Sequence, residues 1–181
     1  MIPIQTQLPA WTAVTPTLLL GLTALVLFLV DSIDPDSTRP TALAGISALG
    51  SVAALGVAGW FLLAGTGQEG GAIELYGGSI VVDGMSLFFT VIFASVAAMV
   101  SLASYDYLRD RMYQAEFYSL VMLAATGMSL MGSSGSLATV FVSLELASLP
   151  SYALVAFLKK NRGSVEAGLK YFLVGAVSSA V

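Results

Sequence analysis

Residues 136–158, SLATVFVSLELASLPSYALVAFL, decide how this chain is read. The run is almost wholly apolar and carries one charge, Glu145, near its middle. As a helix rising about 1.5 Å per residue it is roughly 34 Å long, enough to cross a hydrocarbon core of about 30 Å with some tilt. Glu145 then lies about 3 Å from mid-depth. An ionised carboxylate there costs at least a few kcal/mol, and such residues mostly face a polar cavity or a partner and mark an ion or proton path. Pro150 sharpens the reading. It has no N–H, so the carbonyl of Leu146 loses its i→i−4 partner and the helix kinks. In lipid that carbonyl must be met by a neighbouring helix, a hydroxyl or a water, and Ser143, Ser148 and Ser151 are near it along the chain. An acid, a freed carbonyl and hydroxyls at mid-membrane read as a hydrated spot inside a helix bundle.

Composition points the same way. The chain has 181 residues, 57% hydrophobic and 10% charged, whereas soluble domains average about 25% charged. Without cysteine there are no disulfides, iron–sulfur clusters or thiolate metal sites, and without histidine no imidazole ligation or His-based acid–base chemistry. A redox centre held by this chain is not expected, and no cofactor is assigned to it. The low pI, about 4.5, reflects eleven acids against seven bases, mostly in loops.

Working outward from 136–158, the chain reads as an all-α membrane protein with about six spans, a single transmembrane domain over 1–181. The spans are 11–30, 41–64, 85–104, 117–132, 136–158 and 165–181. Because the first has no basic region before it and is long, it is expected to be retained rather than cleaved. Trp11 suits an interfacial anchor. Small residues four apart in span two, Ala44/Ala48 and Gly50/Ala54, suit close helix contacts. In the Gly-rich loop 65–86, residues 72–76 and 79–82 are expected to pair as a hairpin across Gly77 and Gly78. The loop contains no lysine to suggest phosphate binding. The sixth span is still apolar at Val181, so the domain is expected to be incomplete at its C-terminus.

Alternation of the spans places loops 31–40, 105–116 and 159–164 on one side of the membrane. These carry Arg39, Arg109, Arg111, Lys159, Lys160 and Arg162, six of the seven bases; the other side carries none. The positive-inside rule then puts the three basic loops in the cytoplasm and the N-terminus outside.

The segment FVSLELASLPSYALVAFLKKNRGSVEAGLKYFLVGAVSSA (141–180) resembles subunit N of the proton-pumping NADH–quinone oxidoreductase, respiratory complex I, one of the antiporter-like membrane subunits. The features are LEL-x-SLP-x-Y-x-LVA, a basic loop, and EA-x-x-KYFL-x-GA. EFYSLVMLAATGM (116–128) and D-x-x-S-x-FF (83–89) are similar to the same family less specifically. The resemblance implies a bundle of about fourteen helices, in which a fifth-helix glutamate works with lysines on later helices to move protons. Glu145 matches that glutamate and Lys170 the lysine of the KYFL motif. The further lysines, on helices seven, eight and twelve, have no counterpart because the chain ends first.

The resemblance further implies a membrane-arm subunit that couples electron transfer elsewhere in the complex to proton translocation. Its partners would be other membrane-arm subunits, the lipid bilayer and a quinone bound by those subunits, with no nucleic acid. Alternatives are a related cation/proton antiporter, a membrane-bound hydrogenase subunit, or a truncated structural remnant.

Depth separates the two titratable candidates. Lys170 lies roughly 8–9 Å from the cytoplasmic end of its span, shallow enough to snorkel to the interface, and Glu145 lies about 20 Å from that end. One direct bond would have to close a gap of about 10 Å, so a hydrated relay is expected instead. Glu166 is expected in the first turn of span six, where an acid complements the helix dipole. Asp106, Asp110 and Glu116 read as a solvated loop face, and Tyr105, Tyr107 and Tyr113 as interfacial belt residues.

Overall fold

In the computed structural model the described residues are 9–33, 39–67, 71–109 and 111–180. A 3₁₀ turn, Ala10–Val14, leads into α1 (Thr15–Ile33), followed by α2 (Pro40–Leu63), β1 (Ile73–Leu75), β2 (Ile80–Val82), α3 (Gly84–Leu108), α4 (Gln114–Gly132), α5 (Leu137–Val155) and α6 (Arg162–Ala180). The first five helical segments, counting the 3₁₀ turn with α1, are long and apolar enough to cross a membrane. α6 is also 19 residues long, but Arg162, Glu166 and Lys170 leave it less apolar and it is not among those five.

Local chemistry sets the helix starts. In α3 the Ser86 N–H donates to Asp83 Oδ1 at 2.7 Å and the Asp83 N–H donates to Ser86 Oγ at 2.9 Å. The D-x-x-S of residues 83–86 is thus a reciprocal cap for that helix. Ser136 caps α5 by accepting the Thr139 N–H at 3.2 Å. Pro16, the second residue of α1, falls where a missing N–H costs nothing.

α1 to α4 form the packed centre around Leu20, Leu27, Leu43, Leu108, Tyr118 and Met122. α5 lies against α4, and α6 against α5. Lipid gives apolar helix faces no reason to associate, so contact depends on close backbone approach and interhelical hydrogen bonds. Both are present. A Cβ on Gly50 would collide with Thr23, so glycine lets α2 close onto α1. Ser129 of α4 shares hydrogen bonds with Thr17 of α1 at 2.7 Å and Thr90 of α3 at 2.9 Å, while Ser47 of α2 meets Ser101 of α3 at 2.7 Å.

At one end of the bundle β1 and β2 pair antiparallel, Ile73 with Val82 and Leu75 with Ile80. The turn runs through Tyr76, Gly77 and Gly78, all at positive φ. The hairpin also grips the α4–α5 turn, because the Val81 N–H donates to the Ser133 carbonyl at 2.8 Å and the Gly135 N–H to that of Ser79 at 2.9 Å. The expected pairing across Gly77–Gly78 is therefore present and is extended onto residues 133–135.

Several boundaries differ from the sequence reading: α1 runs to Ile33 rather than 30, α3 to Leu108 rather than 104, and α4 starts at Gln114 rather than 117. α5 ends at Val155, three residues before the expected end of its span, and α6 begins at Arg162 rather than near Val165. The cause is Asn161, whose side chain accepts the N–H groups of Gly163 at 2.9 Å and Ser164 at 3.4 Å and so starts the helix early. Glu166 consequently lies past the first turn of α6, and its expected pairing with the helix dipole is replaced by an ion pair with Lys170.

Candidate functional site

Glu145 sits one residue from the centre of the 19-residue α5 and is half-buried. The shorter helix brings it closer to the middle than the sequence reading implied. Its carboxylate makes no hydrogen bond or ion pair with any described residue, while its carbonyl accepts the Ser148 hydroxyl at 3.4 Å. The backbone beside it is tightly held. A Cβ on Gly127 of α4 would stand 2.6 Å from the Leu146 carbonyl carbon and 2.9 Å from the Ala147 Cα, so only glycine lets α4 approach α5 there.

Pro150 lies inside α5 and is buried. The three serines near it do not serve the Leu146 carbonyl. Ser143 donates to the Thr139 carbonyl at 2.6 Å, Ser148 to that of Glu145, and Ser151 to that of Ala147 at 2.8 Å. A helical hydroxyl reaches the carbonyl three or four residues back. For Leu146 those positions are Leu149 and Pro150, which carry none.

Lys170 is exposed and donates to Glu166 Oε1 at 2.6 Å, one helical turn away. α6 packs against α5, with Gly168 close to Ala156 and Tyr152 edge-on to Tyr171 at 4.7 Å. Lys170 makes no ion pair with Glu145, its partner being Glu166. Among the described residues no cluster of acids offers a metal site.

Comparison with known proteins gives this geometry a family. Residues 134–181 match the family model described as NADH:quinone oxidoreductase/Mrp antiporter, transmembrane. NADH-quinone oxidoreductase subunit N of Dehalococcoides mccartyi is 37% identical over 167 residues, 92% of this chain and 33% of that protein. F(420)H(2) dehydrogenase subunit N of Methanosarcina mazei is 36% identical, over 92% of this chain and 34% of that protein. A chain of respiratory complex I from Thermus thermophilus with bound aureothin superposes with a TM-score of 0.71 at 30% identity, covering 91% of this chain and 34% of that one. Over most of its length this chain is similar to the antiporter-like membrane subunits.

It is a multi-pass membrane protein, and it spans about a third of the length of the relatives it matches. Its helices superpose on about a third of that larger chain.

The chain also holds charges that the sequence reading placed wrongly or passed over. Glu116, expected on a solvated loop face, is in the first turn of α4 and bonds Lys159 Nζ at 2.7 Å, tying α4 to the α5–α6 connection. Asp31, at the end of α1, lies within electrostatic reach of both and keeps one carboxylate oxygen buried without a hydrogen bond. Asp106 is exposed, and Asp110 lies outside the described residues. Tyr107 and Tyr113 carry Arg111 and Lys159 over their rings at 4.4 and 4.3 Å, and the Tyr105 hydroxyl meets Thr41 at 3.3 Å. No spacing rule would have linked Glu116 to Lys159. They are 43 residues apart, and only the stacking of α5 on α4 brings them together.

Proposed function

We propose that this chain is a membrane-arm subunit of a complex I-type NADH–quinone oxidoreductase, in which electron transfer on other subunits drives proton translocation through Glu145. The observation that carries the proposal is the unpaired, half-buried carboxylate of Glu145 at the centre of a membrane-length helix, backed by close approach of α4. A carboxyl in such a place is poised between two influences. Removal from water favours its neutral form, and an approaching cation favours the ionised one, so a moving positive charge loads or releases a proton. No described residue supplies that cation, since Lys170 is engaged with Glu166. It comes from another part of the assembly or from motion of α6. Lys170 then serves as the cytoplasmic-side member of a hydrated relay rather than as a direct partner of Glu145. Orientation follows from the charge asymmetry, with the basic loops in the cytoplasm and the hairpin outside.

A second reading, a subunit of a cation/proton antiporter assembly, is favoured by the family description, which names Mrp antiporters together with the oxidoreductase. The two separate on what co-purifies. Affinity purification through a tag on this chain, from native membranes, should yield an assembly that oxidises NADH, reduces a quinone and acidifies vesicles. Recovery of an assembly without NADH or quinone activity that still exchanges cations for protons would overturn the first reading in favour of the second.

A further inference from the structure

Where the loop after α3 meets the connection between α5 and α6, there is an open cleft of about 680 Å³. That is within the roughly 300–1,000 Å³ of ordinary ligand sites. Four of its lining residues, Arg111, Lys159, Lys160 and Arg162, are basic, and the same walls carry apolar side chains such as Met112 and Phe157. Little among the described residues offsets this charge. Glu116 engages Lys159, which also lies within electrostatic reach of Asp31, and Glu166 is taken by Lys170. Arg111 lies over the Tyr107 ring, and Lys160 and Arg162 have no ion pair among the described residues.

The helix that begins here makes the balance worse. Arg162 is the first residue of α6, and Lys159 and Lys160 stand just before its capping residue Asn161. All three therefore stand at the positive end of a helix dipole, where cations are disfavoured. Such an arrangement calls for an anion. The position fixes which kind. The cleft opens at the end of membrane-length helices and is itself lined by apolar Met112, Phe157 and Leu158.

We propose that this cleft binds the phosphate headgroup of an anionic phospholipid. Arg111, Lys160 and Arg162 hold the phosphate, and Phe157 and Met112 meet the glycerol and upper acyl region. Lys159 stays with Glu116 and shapes the wall. A soluble phosphate would use the same cations but has no use for the apolar wall, and lipid is the source the placement supports.

The test uses the complete assembly containing this chain, purified and placed in nanodiscs made from phosphatidylglycerol and phosphatidylcholine. Native mass spectrometry after delipidation reads the lipid retained. Each basic residue near an anionic surface is worth about fivefold in binding. The triple variant Arg111→Gln, Lys160→Gln, Arg162→Gln should therefore lose at least about tenfold of the retained phosphatidylglycerol. Arg39→Gln, a base in another loop, should lose none. If the triple variant does not assemble, Lys160→Gln alone should lose about fivefold. Equal retention by wild type and variant overturns the proposal. Displacement of the lipid by millimolar inorganic phosphate does the same, because it marks a soluble-anion site. So does a photo-crosslinker at position 160 that captures a neighbouring protein segment instead of lipid.

Discussion

Glu145 differs from the other described acids in sitting midway along a membrane-length helix with its carboxylate unpaired. That much was legible, because a lone charge in an apolar run has no bland explanation as cheap as a functional one. Its hydroxyl neighbours were not placed correctly, though the rule was available. Back-bonding reaches three or four residues, and counting from Leu146 lands on Leu149 and Pro150. The partner of Lys170 was also readable, since Glu166 precedes it by one turn in the favourable order. Gly127 was not readable, because nothing in its sequence context says which backbone it faces. Gly127→Ala should force α4 and α5 apart at Leu146–Ala147, costing about 1–3 kcal/mol by overpacking. A thermal-unfolding transition of the purified assembly that does not fall would contradict so close an approach.

Among the elements, the connection between α5 and α6 is displaced from its place in the sequence reading. Apolar residues at 156–158 suggested a longer α5, but Asn161 begins α6 and the chain must turn before it. A one-residue cap outweighed the hydropathy pattern. Across this connection, the Glu116–Lys159 pair is partly exposed, with Lys159 at 52%. A double-mutant cycle on Glu116→Gln and Lys159→Gln should give a coupling below about 1 kcal/mol that shrinks with added salt. A larger, salt-insensitive value would place the pair away from water. At the opposite end, Gly135→Val would drive a side chain into the Gly78 carbonyl and Val81. The hairpin should then undock, seen as new protease cleavage within 71–83 while the helices stay protected. Unchanged resistance would show that the hairpin does not depend on the α4–α5 turn.

For the molecule as a whole, hydropathy and charge asymmetry set out a six-helix all-α bundle with alternating connections, and the helices follow that order. Which helices touch was not legible. α1 meets α4 as well as α2 because buried hydroxyls and a few small residues select those contacts, and such signals have no period along the chain. Orientation is open to direct measurement in intact cells. A cysteine at Arg109 should react only with a reagent that enters the cytoplasm, and one at Tyr76 with an impermeant reagent added outside; the reverse pattern would invert the topology. The account depends most on one acid changing its proton occupancy as electrons pass elsewhere in the assembly. The proton-to-electron stoichiometry of the complete complex in sealed vesicles, compared between wild type and Glu145→Gln, tests this most directly. The account predicts that the variant retains its redox centres and moves fewer protons per electron, with Glu145→Asp restoring part of the loss. An unchanged stoichiometry in Glu145→Gln would contradict it.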